Sequence, residues 1–281
     1  VAFNSPHDPR TPPPGYGYKY DAGDIPLPLN FLSQHPFDNG DLEVRDEVFL
    51  PLPRTPEMIR KEIALYYGMI SEVDVQIGRI LEALEESGEY NNTIIVFTAD
   101  NGLAVGQHGL LGKQNLYEHS VKTPLVIVGP QVPKNERNSA FSYLLDLYPT
   151  LCELTGIKYP ESIDGKSLKN AIIEKKPEGR EHLYLSYINI QRAIKKGDYK
   201  LIRYNVGGQE RIQLFNLATD PLEQNNLADA PAYSHKIDEL TRLLAQDMRD
   251  LGDFCDLSKP GWGYPNKLSL KEIVEIKEHA R

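Results

Sequence analysis

One stretch constrains the possible fold of this chain more than any other: residues 93–98, with the sequence TIIVFT, form a continuous run of apolar and β-branched residues. Such a run is typical of a strand that is buried on both faces in a parallel sheet. A second apolar run, residues 124–128, follows it, and helix-like patterns occupy residues 56–87 and 143–154. Because strands and helices alternate, the sequence predicts an α/β sheet with helices on its faces.

The longest predicted helix covers residues 56–87. Apolar residues recur there at three- and four-residue spacing, Thr55 provides a capping hydroxyl, and Gly88 follows the end. The preceding residues 7–56 are rich in proline, which lacks the backbone donor that a regular helix or central strand requires. We expect this region to be a long loop that is functional or wraps a surface.

After residue 180 the pattern changes to short strands separated by turn signals. Strand-like runs occupy residues 183–187, 191–194, 199–204 and 211–216. Glycine-containing turns between them favour antiparallel pairing, and residues 233–249 have the apolar stripe of an amphipathic helix. We therefore predict two parts: residues 1–180 form an α/β domain, and residues 181–281 form a small α+β subdomain with an antiparallel sheet.

Composition and charge exclude several classes of protein. The net charge of the 281-residue chain is −9, so it lacks the basic surface that binding to nucleic acid requires. No apolar run approaches the length that spans a bilayer. With Cys152 and Cys255 as the only cysteines, a disulfide scaffold and a zinc site built on thiolates are excluded, while pairing of the two stays open.

Candidate chemistry lies at the end of the 93–98 strand. Ligands of α/β sheets bind outside the carboxyl ends of the strands, and Asp100 and Asn101 stand there. A carboxylate beside an amide oxygen suits Ca²⁺ or Mg²⁺, although Asp-Asn-Gly is also a common turn sequence. Glycines at 106, 109 and 112 let the backbone fold back, which would bring the Lys113 ammonium to the strand end, opposite an anionic ester.

Taken singly, Lys113, His7 and His108 resemble ordinary loop residues, but their context resembles a known family. An ordered set of segments is similar to the signature regions of type I sulfatases, in the alkaline-phosphatase-like superfamily, including the Pro6-His7-x-Pro9 loop. The matching segments are 6–9, 66–81, 92–102, 106–113, 117–125, 146–151, 163–168, 199–202 and 214–227. The expected fold is therefore an incomplete alkaline-phosphatase-like α/β fold, with a mainly parallel sheet flanked by helices and the small antiparallel subdomain.

The resemblance implies roles for five residues. Asp100 and Asn101 match metal ligands of the family, for Ca²⁺ with Mg²⁺ as an alternative. Lys113 matches a lysine that contacts the sulfate and steadies the leaving-group oxygen, and His7 matches a histidine near the same oxygen, so both are candidates for catalysis and substrate binding. His108 lies in a Gly-x-His-Gly stretch, where the resemblance implies substrate binding or support.

The resemblance also implies parts that this sequence lacks. The nucleophile of the family is a formylglycine made from cysteine or serine in a C-x-P-S-R-like motif, and neither Cys152, Cys255 nor Ser5 lies in one. Also absent are the N-terminal aspartates that complete the metal shell, and an arginine and a second lysine near the nucleophile. We expect the C-terminal portion of a sulfatase that starts in mid-fold at Val1, needs the missing N-terminal part and is inactive alone.

Two alternatives stay open. The chain is also compatible with a phosphonate or phosphate monoester hydrolase of the same superfamily, and Asn101 in place of histidine mildly favours the sulfatase. The second alternative is non-catalytic: a half-protein that binds sulfated glycans, or a subunit that another chain completes. The resemblance implies a sulfated small molecule or glycan as substrate, and a periplasmic, secreted or lysosomal location, without identifying the substrate.

Overall fold

The computed structural model describes residues 1–259, 261, 262 and 268–279. Its α-helices are α1 (Pro56–Glu86), α2 (Glu118–Val121), α3 (Leu147–Thr155), α4 (Lys169–Ile173), α5 (Ser234–Asp250) and α6 (Leu270–His279). Its strands are β1 (Ile95–Thr98), β2 (Leu125–Val128), β3 (His182–Tyr187), β4 (Gln191–Lys196), β5 (Tyr199–Val206) and β6 (Gln209–Asn216). The chain forms two compact units: Val1–Asn92, Asn101–Lys122 and Leu222–Gln224 make the first, and the remaining described residues make the second.

Helix α1 organises the first unit and agrees with the predicted helix. The Thr55 hydroxyl accepts a hydrogen bond from the Met58 amide at 3.3 Å, and Pro56 occupies the first turn, where its missing N–H has no cost. The apolar face of α1 packs on residues from the proline-rich region and from the loop that follows β1. The buried members of this core are Ile25, Ile59, Ile63, Ala64, Val105 and Leu111.

Strands β1 and β2 confirm the two apolar runs and correct the direction of their pairing. They are antiparallel, with Ile95 opposite Val128 and Thr98 opposite Leu125, whereas the apolar pattern predicted parallel neighbours. A parallel neighbour begins at the far end of the sheet. Here β2 begins beside the end of β1, since the Thr98 hydroxyl donates to the Pro124 carbonyl at 2.8 Å. An apolar run does not indicate the direction of the neighbouring strand, and neither strand is buried on both faces in this chain.

Strands β3 to β6 form the predicted antiparallel sheet in the order β3-β4-β5-β6. Gly197, Gly207 and Gly208 have positive φ angles in the turns between strands, which glycine adopts without strain. Helix α5 packs against β4 and β5. The buried core between them consists of Ile194, Leu201, Leu214, Leu240, Leu244, Met248, Cys255 and Trp262.

Three further expectations concern the whole chain. The division into residues 1–180 and 181–281 stays a prediction; the two compact units are each made of several chain segments. Both cysteines are buried and free. In the part of the chain that the structure describes, no helix has both the length and the apolar character needed to cross a membrane.

Candidate functional site

The structure places Lys113 beside His7 in the first unit. The Nζ atom of Lys113 lies 2.9 Å from Nε2 of His7. On the other side of the ring, Nδ1 lies 2.8 Å from the backbone oxygen of Asp8. A carbonyl oxygen can only accept, so Nδ1 carries the proton and a neutral His7 accepts at Nε2 from the lysine ammonium. The Lys113 ammonium and the His7 imidazole therefore lie side by side in a partly exposed position.

The glycine-rich loop reaches this place by closing on its own backbone. The Ala104 amide donates to the Gly112 carbonyl at 2.9 Å, and the Gly106 amide to the Leu110 carbonyl at 2.8 Å. Gly109 has a φ of +74°, and a Cβ there would lie 2.1 Å from the carbonyl carbon of Gln34. Glycine is therefore required at this position, and these bonds fold the loop back on itself just before Lys113. The approach of Lys113 to the end of the 93–98 strand stays a prediction.

Buried charged groups hold the loop just before Lys113. The Glu47 carboxylate accepts hydrogen bonds from the amides of Leu111 and Gly112 and pairs with Arg54 at 2.9 Å. Burial raises the pKa of Glu47, while the Arg54 charge and the two amides act in the opposite direction. The Arg10 guanidinium donates to the Leu111 carbonyl at 3.1 Å. Charged side chains thus satisfy loop backbone groups that water does not reach.

His108 is buried rather than open to solvent, with 7% of its surface exposed. Its ring stacks on Tyr117 with centroids 4.0 Å apart and an interplanar angle of 6°. The Asn30 side-chain amide lies 3.2 Å from His108 Nε2, so that nitrogen accepts. These contacts fix the orientation of the ring, and substrate binding by His108 stays a prediction.

His35 was not predicted and belongs to the same aromatic group. Its Nε2 lies 3.2 Å from the Tyr117 hydroxyl, and its Nδ1 lies 2.6 Å from the Phe37 carbonyl. Burial lowers the pKa of His35, although the Phe37 hydrogen bond and the Asp38 charge oppose this. His35 is therefore a neutral packing histidine. The sequence offered no signal for it, because one histidine beside a proline has no periodic context.

The predicted metal ligands follow β1 directly. Asp100 is exposed, and the Asn101 side-chain amide donates to the Gly102 carbonyl at 2.8 Å, which restricts that side chain. Within the described residues, no group of three or more His, Cys, Asp or Glu side chains is arranged to hold a metal ion. Asp100 and Asn101 offer hard oxygen atoms of the kind that calcium prefers, but calcium takes about six to eight. The two residues suit the metal in kind, and their role as ligands stays a prediction.

A separate cavity in the second unit has a structural explanation. It encloses about 190 Å³ and is lined by Asp146, Lys166, Ser167, Leu168, Asn170, Glu178, Gly179 and Arg180. Two nitrogens of Arg180 donate to the buried Asp146 carboxylate, at 3.0 and 2.6 Å. The amides of Lys166 and Tyr143 donate to the same carboxylate at 2.7 Å each. The charge of Asp146 is thereby satisfied within the protein.

Segment 45–47 also contacts the loops that carry Lys113 and His7, and sequence reasoning missed it. Arg45, Asp46 and Glu47 lie in the proline-rich region that was expected only to be a long loop. The available signal was three consecutive charged residues followed by a mainly apolar stretch, which does not reveal their partners. Those partners lie 37 to 68 positions away in the sequence.

Two family models match this chain. The model described as Sulfatase matches residues 1–157, and the model described as N-sulphoglucosamine sulphohydrolase, C-terminal, matches residues 106–250. An arylsulfatase of Clostridium perfringens (strain 13 / Type A) is 31% identical over 285 aligned positions, which cover 97% of this chain and 58% of that protein. The chain thus spans little more than half the length of this relative.

Solved structures are similar over most of the chain. A protein in complex with its substrate D-glucosamine-2-N,6-O-disulfate aligns with a TM-score of 0.66 and 28% identity, over 79% of this chain and 45% of that one. The phosphonate monoester hydrolase of Agrobacterium radiobacter aligns with a TM-score of 0.75 and 24% identity, over 92% and 59%. The latter likeness shows the fold alone. Together these neighbours confirm the alkaline-phosphatase-like fold class.

Proposed function

Because this chain belongs to the sulfatase family, we propose that it supplies half of the calcium site and the leaving-group side of the pocket of a sulfuric ester hydrolase. The observation that carries this proposal is the 2.9 Å contact between Lys113 Nζ and His7 Nε2. A cation and a proton-carrying ring at one place suit the bridging oxygen of a sulfate ester, where negative charge develops as the S–O bond breaks.

Lys113 and His7 would divide the work at that oxygen. The ammonium of Lys113 has three N–H donors, and one is directed at His7 in this structure. The others can donate to the ester, so Lys113 provides positive charge where the leaving group departs. The backbone bond to Asp8 fixes the His7 ring, and protonation at Nε2 would let His7 transfer a proton to the same oxygen. His108 would support substrate binding from its fixed ring position.

Asp100 and Asn101 would hold part of the metal site. When bound, calcium offsets charge on the sulfuryl oxygens, and the formylglycine of the family supplies the nucleophile. Neither cysteine of this chain lies in a motif that would yield that nucleophile. We infer that the chain alone does not hydrolyse sulfate esters and that the N-terminal part of the family fold completes the site.

Strands β1 and β2 support this reading of a partial fold. A two-stranded sheet is marginally stable by itself. Phe97 is 46% exposed and Val126 is 51% exposed, although both belong to continuous apolar strands. Apolar strands of this kind are usually covered on both faces. The part of the relatives that this chain does not match is the natural source of the missing cover.

The proposed substrate is a sulfated glycan. One similar structure contains D-glucosamine-2-N,6-O-disulfate, and the family model for residues 106–250 carries the description of a sulphoglucosamine sulphohydrolase. A small aryl sulfate is the second substrate class. Such substrates and the family resemblance favour a periplasmic, secreted or lysosomal location. The phosphonate monoester hydrolase shares the fold, and no residue of this site favours a phosphonate over a sulfate.

Rates on matched esters test the proposal. Nitrophenyl sulfate, a sulfated glucosamine and a phenyl phosphonate would be compared with the chain alone and with the chain joined to the proposed N-terminal part. We expect sulfate hydrolysis only in the joined protein, faster than phosphonate hydrolysis. Preference for the phosphonate would overturn the sulfatase assignment. Turnover by the chain alone that is lost in Lys113→Ala would overturn the half-site. Binding of glycan without turnover in the joined protein would favour the non-catalytic alternative.

A further inference from the structure

Arg45 joins the His7 loop to the Lys113 loop. Its Nη2 atom lies 3.1 Å from the carboxylate of Asp8, which is the residue next to His7. The same guanidinium donates to the Asp46 carboxylate from Nε at 2.8 Å and from Nη2 at 2.7 Å. Asp8 and Asp46 are nearly buried, with side chains 7% and 3% exposed. One cation therefore pairs with two neighbouring carboxyl groups, one on each side of its guanidinium.

Asp46 connects Arg45 to Gln114, the residue that follows Lys113. Its second oxygen accepts from the Gln114 side-chain amide at 2.8 Å. The Gln114 oxygen in turn accepts from the Lys113 backbone amide at 2.9 Å. Burial alone would raise the pKa of Asp46, but hydrogen bonds from Gln114 and Arg45 outweigh burial and hold this pKa below its ordinary value. The ionised Asp46 carboxylate therefore accepts the hydrogen bond from the Gln114 side-chain amide.

Glu47 binds the two residues that precede Lys113 in the chain. Its carboxylate accepts from the Gly112 amide at 2.8 Å and from the Leu111 amide at 3.0 Å. Arg54 anchors this carboxylate, and both side chains are almost fully buried. Residues 45–47 therefore contact the neighbours of Lys113 on both sides and the neighbour of His7. None of these contacts involves Lys113 Nζ or the ring of His7.

We propose that the consecutive residues Arg45, Asp46 and Glu47 form a brace that sets the distance between Lys113 and His7. They are positioning residues, because each acts on the reacting groups through neighbouring residues. The catalytic meaning of the brace depends on the proposed function, whereas its effect on the geometry of the pair does not. Removing the Arg45 charge should release the Asp8 side of the brace, and removing the Asp46 charge should release the Gln114 side.

The first test measures the His7 ring directly. Nitrogen NMR of the full chain with labelled histidine reports which ring nitrogen carries the proton, and His7→Gln identifies the signal. We expect one neutral tautomer with the proton on Nδ1, and a mixture of tautomers in Arg45→Ala and Asp46→Asn. Arg45→Lys should restore the single tautomer in part. The buried His35 ring, with its own bond to Phe37, is the internal reference and should not change.

A matched control and a kinetic test complete the experiment. Arg79→Ala removes an arginine whose side chain contacts Gln76 on the exposed surface of α1, and it should leave His7 unchanged. In the joined protein, Arg45→Ala should lower kcat by about tenfold or more with little change in KM, since geometry of the pair acts in the transition state.

Each result decides the brace separately from the proposed function. Unchanged His7 signals in both brace variants, or loss of folding in both, would overturn the brace, the latter because the segment would then stabilise the whole fold. Altered His7 signals, together with no sulfate-ester hydrolysis by the joined protein, would support the brace and refute the proposed function. Altered signals together with unchanged kcat would overturn the positioning role.

Discussion

Lys113 Nζ and His7 Nε2 lie 2.9 Å apart, although 106 positions separate the two residues in the sequence. Both belong to loops, and neither loop has a repeating backbone pattern that would fix a side chain by itself. Closure of the glycine-rich loop and the bond of His7 to the Asp8 backbone provide that order instead. The candidate chemistry of this protein therefore depends on how two irregular segments are held.

Removal of either member of this pair should lower activity more than it lowers stability. In the joined protein, Lys113→Ala and His7→Ala should each reduce kcat for a sulfate ester by about 10²–10³-fold, the usual effect of losing one group that stabilises charge in the transition state. Steady-state kinetics measure this effect. Lys61→Ala is the matched control, since Lys61 pairs with Glu57 on the exposed surface of α1. Equal rates for Lys113→Ala and Lys61→Ala would refute the role of Lys113.

Substitution of Asp100 should weaken calcium binding. Asp100→Ala in the joined protein should raise the calcium Kd by at least about tenfold, since carboxylate charge contributes strongly to calcium affinity. Titration calorimetry measures this, and chelation followed by calcium addition should restore activity only in the unsubstituted protein. Asp198→Ala removes an exposed acid from the turn between β4 and β5 and should have no effect. An unchanged Kd in Asp100→Ala would exclude Asp100 as a ligand.

Asp146 should stabilise the second unit in a pH-dependent way. Burial alone would raise its pKa, but hydrogen bonds from Arg180 and from the Lys166 and Tyr143 amides outweigh burial and lower it. The stabilisation is therefore present above the unfolded pKa of about 4 and is lost as pH falls through the lower folded pKa. Asp146→Asn should cost about 3 kcal/mol at pH 7, since it removes the buried charge that pairs with the partly buried Arg180.

Urea denaturation at pH 7 and at pH 3 checks this dependence. The difference in unfolding free energy between Asp146→Asn and the unsubstituted chain should be smaller at pH 3 than at pH 7, because part of the stabilisation is lost below the unfolded pKa. Asp238→Asn on the exposed side of α5 is the control. A difference that is the same at both pH values would show that packing, not charge, explains the cost.

Cys255 should be chemically inert in the folded chain. Burial raises the pKa of its thiol to about 12, even though the Arg192 guanidinium lies 3.1 Å from the sulfur and favours the thiolate. The thiolate is the reactive form, so modification at pH 8 should be about a thousandfold slower than in the unfolded chain. Cys152→Ser leaves Cys255 as the single thiol. An aromatic disulfide reagent then measures the rate of Cys255 modification in the folded chain and in the chain unfolded by guanidinium chloride. Fast modification in the folded protein would contradict this prediction.

The regular elements of the fold were predictable because their side chains repeat. Helix α1, the short strands after residue 180 and helix α5 each present apolar residues at the spacing of their own backbone, and packing followed that spacing. The antiparallel pairing of β1 and β2 was not predictable in the same way. Their apolar runs are equally suited to either direction, and the connecting residues 99–124 decide the outcome.

The candidate site was predictable in part. Resemblance to a family picked out Lys113 and His7, and the glycine spacing explained how the loop could return. The brace at residues 45–47 was not accessible from sequence, because its contacts join non-periodic segments far apart in the chain. Burial of His108 was also missed, since stacking on Tyr117 depends on the three-dimensional course of the loop.

The tight approach of Gly109 to residues 34 and 35 limits how this protein can diversify. A larger residue at 109 would collide with the Gln34 backbone, and an insertion within residues 104–112 would separate the amide–carbonyl pairs that close the loop. The length and composition of this loop are therefore constrained. Sequence changes that preserve the fold therefore have to fall outside this loop.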